Sequence, residues 1–179
     1  MLNPIGTQIL YTDRFILRPF RYEDAYSMYY FYLSDKDVCE YLEYEAYKNI
    51  KDVYSMLSVN IQKYKNPLYF HWAIVDKRNG YVIGSTSIHN IKQNMLSCEI
   101  GICLSKLYWK KGVGKEVLSK IIEYAKYQIG FKELYAYYME GNENSKYLLK
   151  SIGMEKIVKF DTHILKNGII KKLFCLKLK

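Results

Sequence analysis

Several things are missing from this sequence of 179 residues, and each absence removes a class of protein. Its four cysteines, Cys39, Cys98, Cys103 and Cys175, show no C-x-x-C spacing, so no thiolate metal site or redox motif is predicted. Three of them lie in apolar runs and read as small buried hydrophobes. No apolar run reaches the length of a membrane span. The N-terminus has no basic segment leading into an apolar one, so a soluble, cytoplasmic protein is expected. Internal repeats, linkers and low-complexity tracts are absent. So is the G-x-x-x-x-G-K-[ST] of a phosphate-binding NTPase loop. No nucleic-acid-binding motif appears either.

What is present is a chain of ordinary domain size, half of it hydrophobic, so disorder is excluded and one domain over residues 1–179 is predicted. Lys and Arg number 27 against 18 Asp and Glu, a formal charge of +9. That balance favours polyanionic ligands without naming one.

The stretch from Ser97 to Tyr127 organises the rest. An apolar run, Ile100 to Leu104, has the length of a strand. A basic loop with two glycines, Trp109 to Gly114, follows it. Val113, Val117, Leu118, Ile121, Ile122 and Ala125 then recur on one helical face. A strand feeding a glycine loop that opens a helix makes an anion site, since the first helical N–H groups have no internal partners. The helix dipole favours a phosphate at the same end. The spacing is G-x-G alone, and the third glycine of a dinucleotide fingerprint is replaced by Val117.

The remaining elements can be placed in order. Arg14 to Phe20 reads as a strand stopped by Pro19, and Tyr22-Glu23-Asp24 as the acidic start of a helix reaching about Leu33. A helix from near Asn49 to Tyr64 carries Val53, Met56, Leu57 and Ile61 at helical spacing. Strands at Leu68–Val75 and Tyr81–His89 flank Asn79-Gly80, a strong hairpin signal. A turn at Lys92–Asn94 leads into the central strand, Met95–Leu104. After the long helix come a strand at Lys132–Tyr138, a helix at Asn144–Ile152 and a strand at Lys156–Leu165. Lys166-Asn167-Gly168 turns the chain into a last strand, Ile169–Leu178. Strands interrupted by helices predict an α+β fold with a mixed sheet.

W-K-K-G-V-G at 109–114, preceded by E-I-G-I-C-L at 99–104, resembles the acetyl-CoA signature of the GNAT N-acetyltransferases, [Q/R]-x-x-G-x-[G/A]. Trp109 stands where many members carry Gln or Arg. T-D-R-F-I-L-R-P-F at 12–20 and N-E-N-S-K-Y-L-L-K-S-I-G-M at 142–154 are similar to segments of the RimJ/RimL-type branch. The resemblance spans nearly the whole chain. It implies a mixed, mostly antiparallel sheet of six to seven strands, flanked by about four helices, whose central strands splay apart. It also implies an acetyl-CoA-dependent N-acetyltransferase that acts on a primary amine of a small molecule or a protein N-terminus, with no metal.

The pantetheine would lie in the splay, hydrogen-bonded to the backbone of Ile102 and Leu104. The pyrophosphate would sit on the N–H groups of Lys110, Lys111, Gly112, Val113, Gly114 and Lys115. Lys110 departs from a glycine often seen there. Ile102 is the implied backbone donor to the thioester carbonyl. Many members place a tyrosine four residues before the glycine that ends the last helix, but Leu149 occupies that position. The branch often keeps Asn and Ser at the positions of Asn142 and Ser145, which implies CoA binding by Asn142 and a role at the thiolate for Ser145. Both also read as helix-start residues. Tyr147 and Tyr138 are the alternative acids.

Glu99 is the general-base candidate, against a plain ion pair. Strand alternation turns it away from Ile100 and Ile102 unless a bulge intervenes. His71 and His89 are further titratable candidates. The acidic cluster Glu40, Glu43 and Glu45, interleaved with Tyr41, Tyr44 and Tyr47, falls in the acceptor region and would suit a cationic amine, or simply form a solvated loop. Two other readings stand beside the enzyme: a catalytically silent acetyl-CoA-binding module, and a protein that binds nucleic acid through its basic surface. Membrane is not an expected partner, and a homodimer is left open.

Overall fold

The computed structural model describes all 179 residues. Alternating apolar residues and turn chemistry build one mixed sheet. Its strands are β1 (Leu10–Tyr11), β2 (Phe15–Arg18), β3 (Phe70–Asp76), β4 (Val82–Lys92), β5 (Ser97–Leu104), β6 (Glu133–Met139), β7 (Met154–Lys156), β8 (Thr162–Lys166) and β9 (Ile169–Leu178). They pair in the order β1-β2-β3-β4-β5-β6-β9-β7, with β8 added to β9. Only β5 and β6 run parallel. The hairpin at 167–168 has both central residues at positive φ, Asn167 at 52° and Gly168 at 74°, the geometry that suits the twist of its strands.

Nine strands replace the six to seven expected. The short β1 adds one. The segment expected as a single strand over 156–165 is two strands, because residues 157–161 lie opposite only 174–175 of β9. The surplus coils into a 3-10 turn at Val158–Phe160, pinned where the Asp161 carboxylate accepts the Cys175 N–H at 2.9 Å.

Five α-helices flank the sheet, where about four were expected. A 3-10 turn at Tyr22–Asp24 enters α1 (Ala25–Met28), which continues as a π-helical turn, Tyr29–Leu33. Then come α2 (Lys36–Cys39), α3 (Ile50–Lys63), α4 (Val113–Glu123) with a π-helical extension at Tyr124–Ile129, and α5 (Glu143–Ser151). The side chains of Asp35 and Asn49 cap α2 and α3 by accepting the N–H groups of Asp37 and Asp52.

The core divides into two clusters. Phe15, Leu17, Trp72, Ile83 and Ile100 pack with Val117, Leu118 and Ile121 of α4. Ala73, Val75 and Val82 pack with Ala25, Met28, Tyr32, Val53 and Leu57 of the helices α1 and α3 and the turn between α1 and α2. Ile100 and Ile102 belong to the α4 side and Cys103 to the other, so β5 keeps strict alternation. Its pairing with β4 runs without a break from Leu104 to Glu99. The bulge lies on β4, after His89.

Candidate active site

The loop between β5 and α4 is built as an anion cradle. Lys110 and Gly112 both adopt left-handed backbone, at φ 57° and 75°, and Gly112 caps α4. This turn aims successive amides at one side. None of the N–H groups from Lys110 to Lys115 has an acceptor within the chain; the first hydrogen-bonded amide is that of Glu116, to Gly112 O at 3.1 Å. Lys110 thus takes the conformation its glycine counterpart would adopt freely.

Two long-range contacts hold this loop. The Arg14 guanidinium donates to Glu116 Oε2 at 2.7 Å and to the Lys111 carbonyl at 3.1 Å, while the Arg14 N–H reaches Glu116 Oε1 at 2.9 Å. Burial works against the Glu116 carboxylate, but hydrogen bonds from Thr12 and Arg14 hold its pKa below the ordinary value. At the other end, the Trp109 indole donates to the Leu104 carbonyl at 2.8 Å. Of the Leu104 backbone, this leaves the N–H to serve a ligand beside Ile102.

Next to this loop the sheet opens. The ladder between β5 and β6 covers Ser97↔Glu133, Cys98↔Leu134 and Glu99↔Tyr135, and nothing on β6 pairs with β5 from Ile100 onward. The splay expected of the central strands is present. A cleft of about 750 Å³ passes through it. Ile102, Leu104, Lys110, Gly112, Val113, Gly114, Lys115, Asn142 and Ser145 all line this cleft. Lys111 does not, and its carbonyl is tied back to Arg14.

α5 forms the facing wall. Asn142 caps it, Oδ1 accepting the Ser145 N–H at 3.0 Å, which leaves the Asn142 amide hydrogens uncommitted. Ser145 Oγ makes no hydrogen bond within the chain. Leu149 is buried in the α4-side core, so no acid stands where the tyrosine is usual. Of the alternative acids, Tyr147 lines the cleft, whereas Tyr138 is buried against Phe174. α4 and α5 approach closely, for a Cβ at Gly114 would lie 2.7 Å from Leu148 Cδ2.

The far end of the cleft is made by Asp37, Val38, Glu40, Tyr41 and Leu42. Glu43 and Glu45 of the acidic cluster are not part of that wall. Asp37 is ion-paired with Lys106, so Glu40 is the wall's carboxylate without such a partner. Lys166, from the β8–β9 hairpin, holds this segment by donating to the carbonyls of Cys39 at 2.7 Å and Leu42 at 2.5 Å. Tyr41 lies over Gly141 at the start of the α5 loop, across the mouth of the splay. Cys103 also faces the cleft, and burial pushes its thiol up to about 12, so it remains protonated at neutral pH.

Glu99 stands apart from the cleft wall, at the last rung of the β5–β6 ladder and on the α1–α3 side of the sheet. Its carboxylate accepts from Asn90 Nδ2 at 3.0 Å and lies 3.6 Å from His89 Nε2. His71 lies on the same side, beside Tyr69, and burial lowers its pKa to about 4, so it is neutral at pH 7.

The sequence reading missed Arg14 and Lys166, and it placed Tyr41 in the acceptor region without its contact to Gly141. Each acts across 97 or more residues, or from a loop without a motif, and no local pattern signals such contacts.

Comparison with known proteins agrees with this geometry. Residues 14–155 match the family model of the acetyltransferase (GNAT) domain. The uncharacterised N-acetyltransferase YoaA of Bacillus subtilis is 28% identical over 160 residues, spanning 89% of this chain and 90% of that protein. The uncharacterised N-acetyltransferase p20 of Bacillus licheniformis is 27% identical over 149 residues, 83% of each. Among solved structures, the ribosomal-protein-S5-alanine acetyltransferase of Vibrio fischeri superposes with a TM-score of 0.81 at 18% identity, covering 95% of both chains. A GNAT-family acetyltransferase of Bacillus anthracis gives the same score at 17% identity, over 96% of this chain and 98% of the other. At such identities the two structures speak for the fold alone. With the family model spanning most of its length and the splayed sheet beside its amide cradle, the chain belongs to the GNAT family of acetyltransferases and is an N-acetyltransferase.

Proposed function

We propose that this protein, acting as one cytoplasmic domain over residues 1–179, moves acetyl directly from acetyl-CoA to a primary amine of a small molecule or a protein N-terminus. The observation that carries this reading is the cleft through the β5–β6 splay, with a row of unpaired amides from Lys110 to Lys115 at one end. The pantetheine takes the place of the missing ladder along Ile102 and the Leu104 N–H. The pyrophosphate rests on the amide row, helped by the charges of Lys110 and Lys115, and the Asn142 amide donates to CoA.

Three tasks remain for acyl transfer: deprotonating the amine, stabilising the oxyanion and protonating the thiolate. We assign the oxyanion to the Ile102 N–H. Ser145, whose hydroxyl has no partner in the chain, serves the thiolate in place of the missing tyrosine. Glu99 takes the amine proton through water, since it sits at the apex of the splay and off the cleft wall. Glu40 is the carboxylate that meets a cationic acceptor. The Vibrio fischeri neighbour, a ribosomal-protein-S5-alanine acetyltransferase, makes a protein one acceptor worth including.

Melting temperatures measured with acetyl-CoA, free CoA and ATP side by side test the binding step. Both CoA species should stabilise the fold and ATP should not. Release of free thiol over a panel of small amines and N-terminal peptides then reads the transfer. No shift with either CoA species would refute the cradle assignment. A shift with no turnover on any amine would favour the silent binding module.

A further inference from the structure

On the α1–α3 side of the sheet, three polar side chains line up from β4 to β5. Ser87 Oγ lies 3.1 Å from His89 Nδ1, and His89 Nε2 lies 3.6 Å from Glu99 Oε2. Ser87 and His89 are two apart on one strand, so they share a face. Glu99 is the residue directly opposite His89. The arrangement is held from two further directions. The β4 bulge puts Asn90 into left-handed backbone at φ 48°, and its amide then reaches the Glu99 carboxylate at 3.0 Å. Gly101 leaves room for the imidazole, because a Cβ there would lie 3.3 Å from His89 Cε1.

The histidine also has an outlet. His89 and Ser87 border a second hollow of about 470 Å³, and the His89 side chain is 46% exposed. Lys63 of α3, Tyr69 and His71 of β3 are the other titratable groups lining that hollow, and Glu99 faces His89 from β5.

We propose that His89, oriented by Ser87, forms a proton relay with Glu99, carrying the proton of the acceptor amine from the apex of the splay to solvent. The inference rests on the reading of Glu99 as base. An N–H bond of the attacking amine breaks as an O–H bond forms, through water, on Glu99. That proton passes to His89 Nε2. When the neutral ring donates its Nδ1–H to Ser87 Oγ, Nε2 is left as a free lone pair facing the carboxylate. The resulting imidazolium keeps its Nδ1–H on Ser87 and loses the other proton to water in the hollow, which restores Glu99 and His89 for the next turnover. Ser87 and His89 act through Glu99 and are positioning residues.

The test uses the full chain, with an amine that the wild-type protein acetylates. His89→Ala should lower kcat roughly tenfold or more, a modest share of what proton transfer contributes to catalysis. Both KM values should stay within about twofold. Imidazole added to the buffer should restore the turnover of His89→Ala in proportion to its concentration. The double variant with Glu99→Gln should be no slower than Glu99→Gln alone, as for residues acting as a unit. Wild-type turnover in His89→Ala, a loss that imidazole leaves unchanged, or independent losses that multiply in the double variant would each overturn the relay while sparing the acetyltransferase reading. A wild-type protein that binds CoA but acetylates no amine would overturn both.

Discussion

Trp109 and Leu104 are joined by a 2.8 Å hydrogen bond from indole to carbonyl, so the first residue of the phosphate loop is fastened to the last residue of the open strand. The loop and the strand edge must serve opposite ends of one ligand, and this bond sets their separation. Trp109→Phe keeps the ring and deletes the donor, leaving a half-buried carbonyl without a partner. A cost of about 1–3 kcal/mol in stability is expected. The KM for acetyl-CoA should rise more than kcat falls, a split that steady-state kinetics would show directly.

Asn142 offers a cleaner separation of structure from binding. Its Oδ1 caps α5, whereas its amide hydrogens are free to meet a ligand. Asn142→Asp keeps the cap and should hold the melting temperature while weakening CoA binding. Asn142→Ala should lose both, with about 1 kcal/mol of stability removed. Thermal melts read with and without CoA would distinguish the two.

Lys110 occupies left-handed backbone, which for a residue with a Cβ costs about 1–2 kcal/mol. Lys110→Gly should therefore raise the melting temperature of the ligand-free protein. It should also weaken CoA binding through loss of one charge, most clearly at low salt. A variant that melts lower than the parent would contradict the strain.

His71 predicts an acid limb in the stability curve. Its folded pKa, lowered to about 4 by burial, lies below the ordinary value near 6.5. Between those values the unfolded chain binds a proton that the folded one refuses, so stability falls as pH drops from about 6.5 to about 4 and levels off below. The loss amounts to about 3 kcal/mol at most. Urea unfolding across that range should show it, and His71→Asn should flatten it.

Glu116 loses stability in the same direction, here because the fold favours its charged form. Hydrogen bonds to the charged form hold its pKa below 4.5, so its contribution is present above that pH and lost as pH falls through the folded value. Glu116→Gln should be less stable than the parent at neutral pH, with the gap closing in acid. The comparison needs only melts at two pH values.

Much of the fold was legible because it is locally encoded. Asn79-Gly80 and Asn167-Gly168 announced their turns, Val117, Leu118 and Ile121 their buried face, and Glu99 its facing on an unbulged strand. The strand expected over 156–165 failed because the break is imposed from outside. Pairing with both parts of β9 leaves 157–161 nowhere to run straight. The cradle at 110–115 was legible for the same local reasons as the turns. The acceptor wall was legible in part: Glu40 and Tyr41 fall in the segment expected to form it, whereas Lys166 is recruited by tertiary contact and carries no spacing of its own.

The three rungs between Ser97–Glu99 and Glu133–Tyr135 are the whole ladder between the first five strands and the remaining four. Mechanically the molecule is two small sheets stapled at one corner, with helices as their backing. Whatever lies in the fork supplies the absent rungs, so a bound cosubstrate doubles as a temporary strand and splints one half to the other. Amide exchange along β5 and β6 beyond that staple should then slow on CoA binding far more than exchange in β2 or β3, where the ladders are already complete.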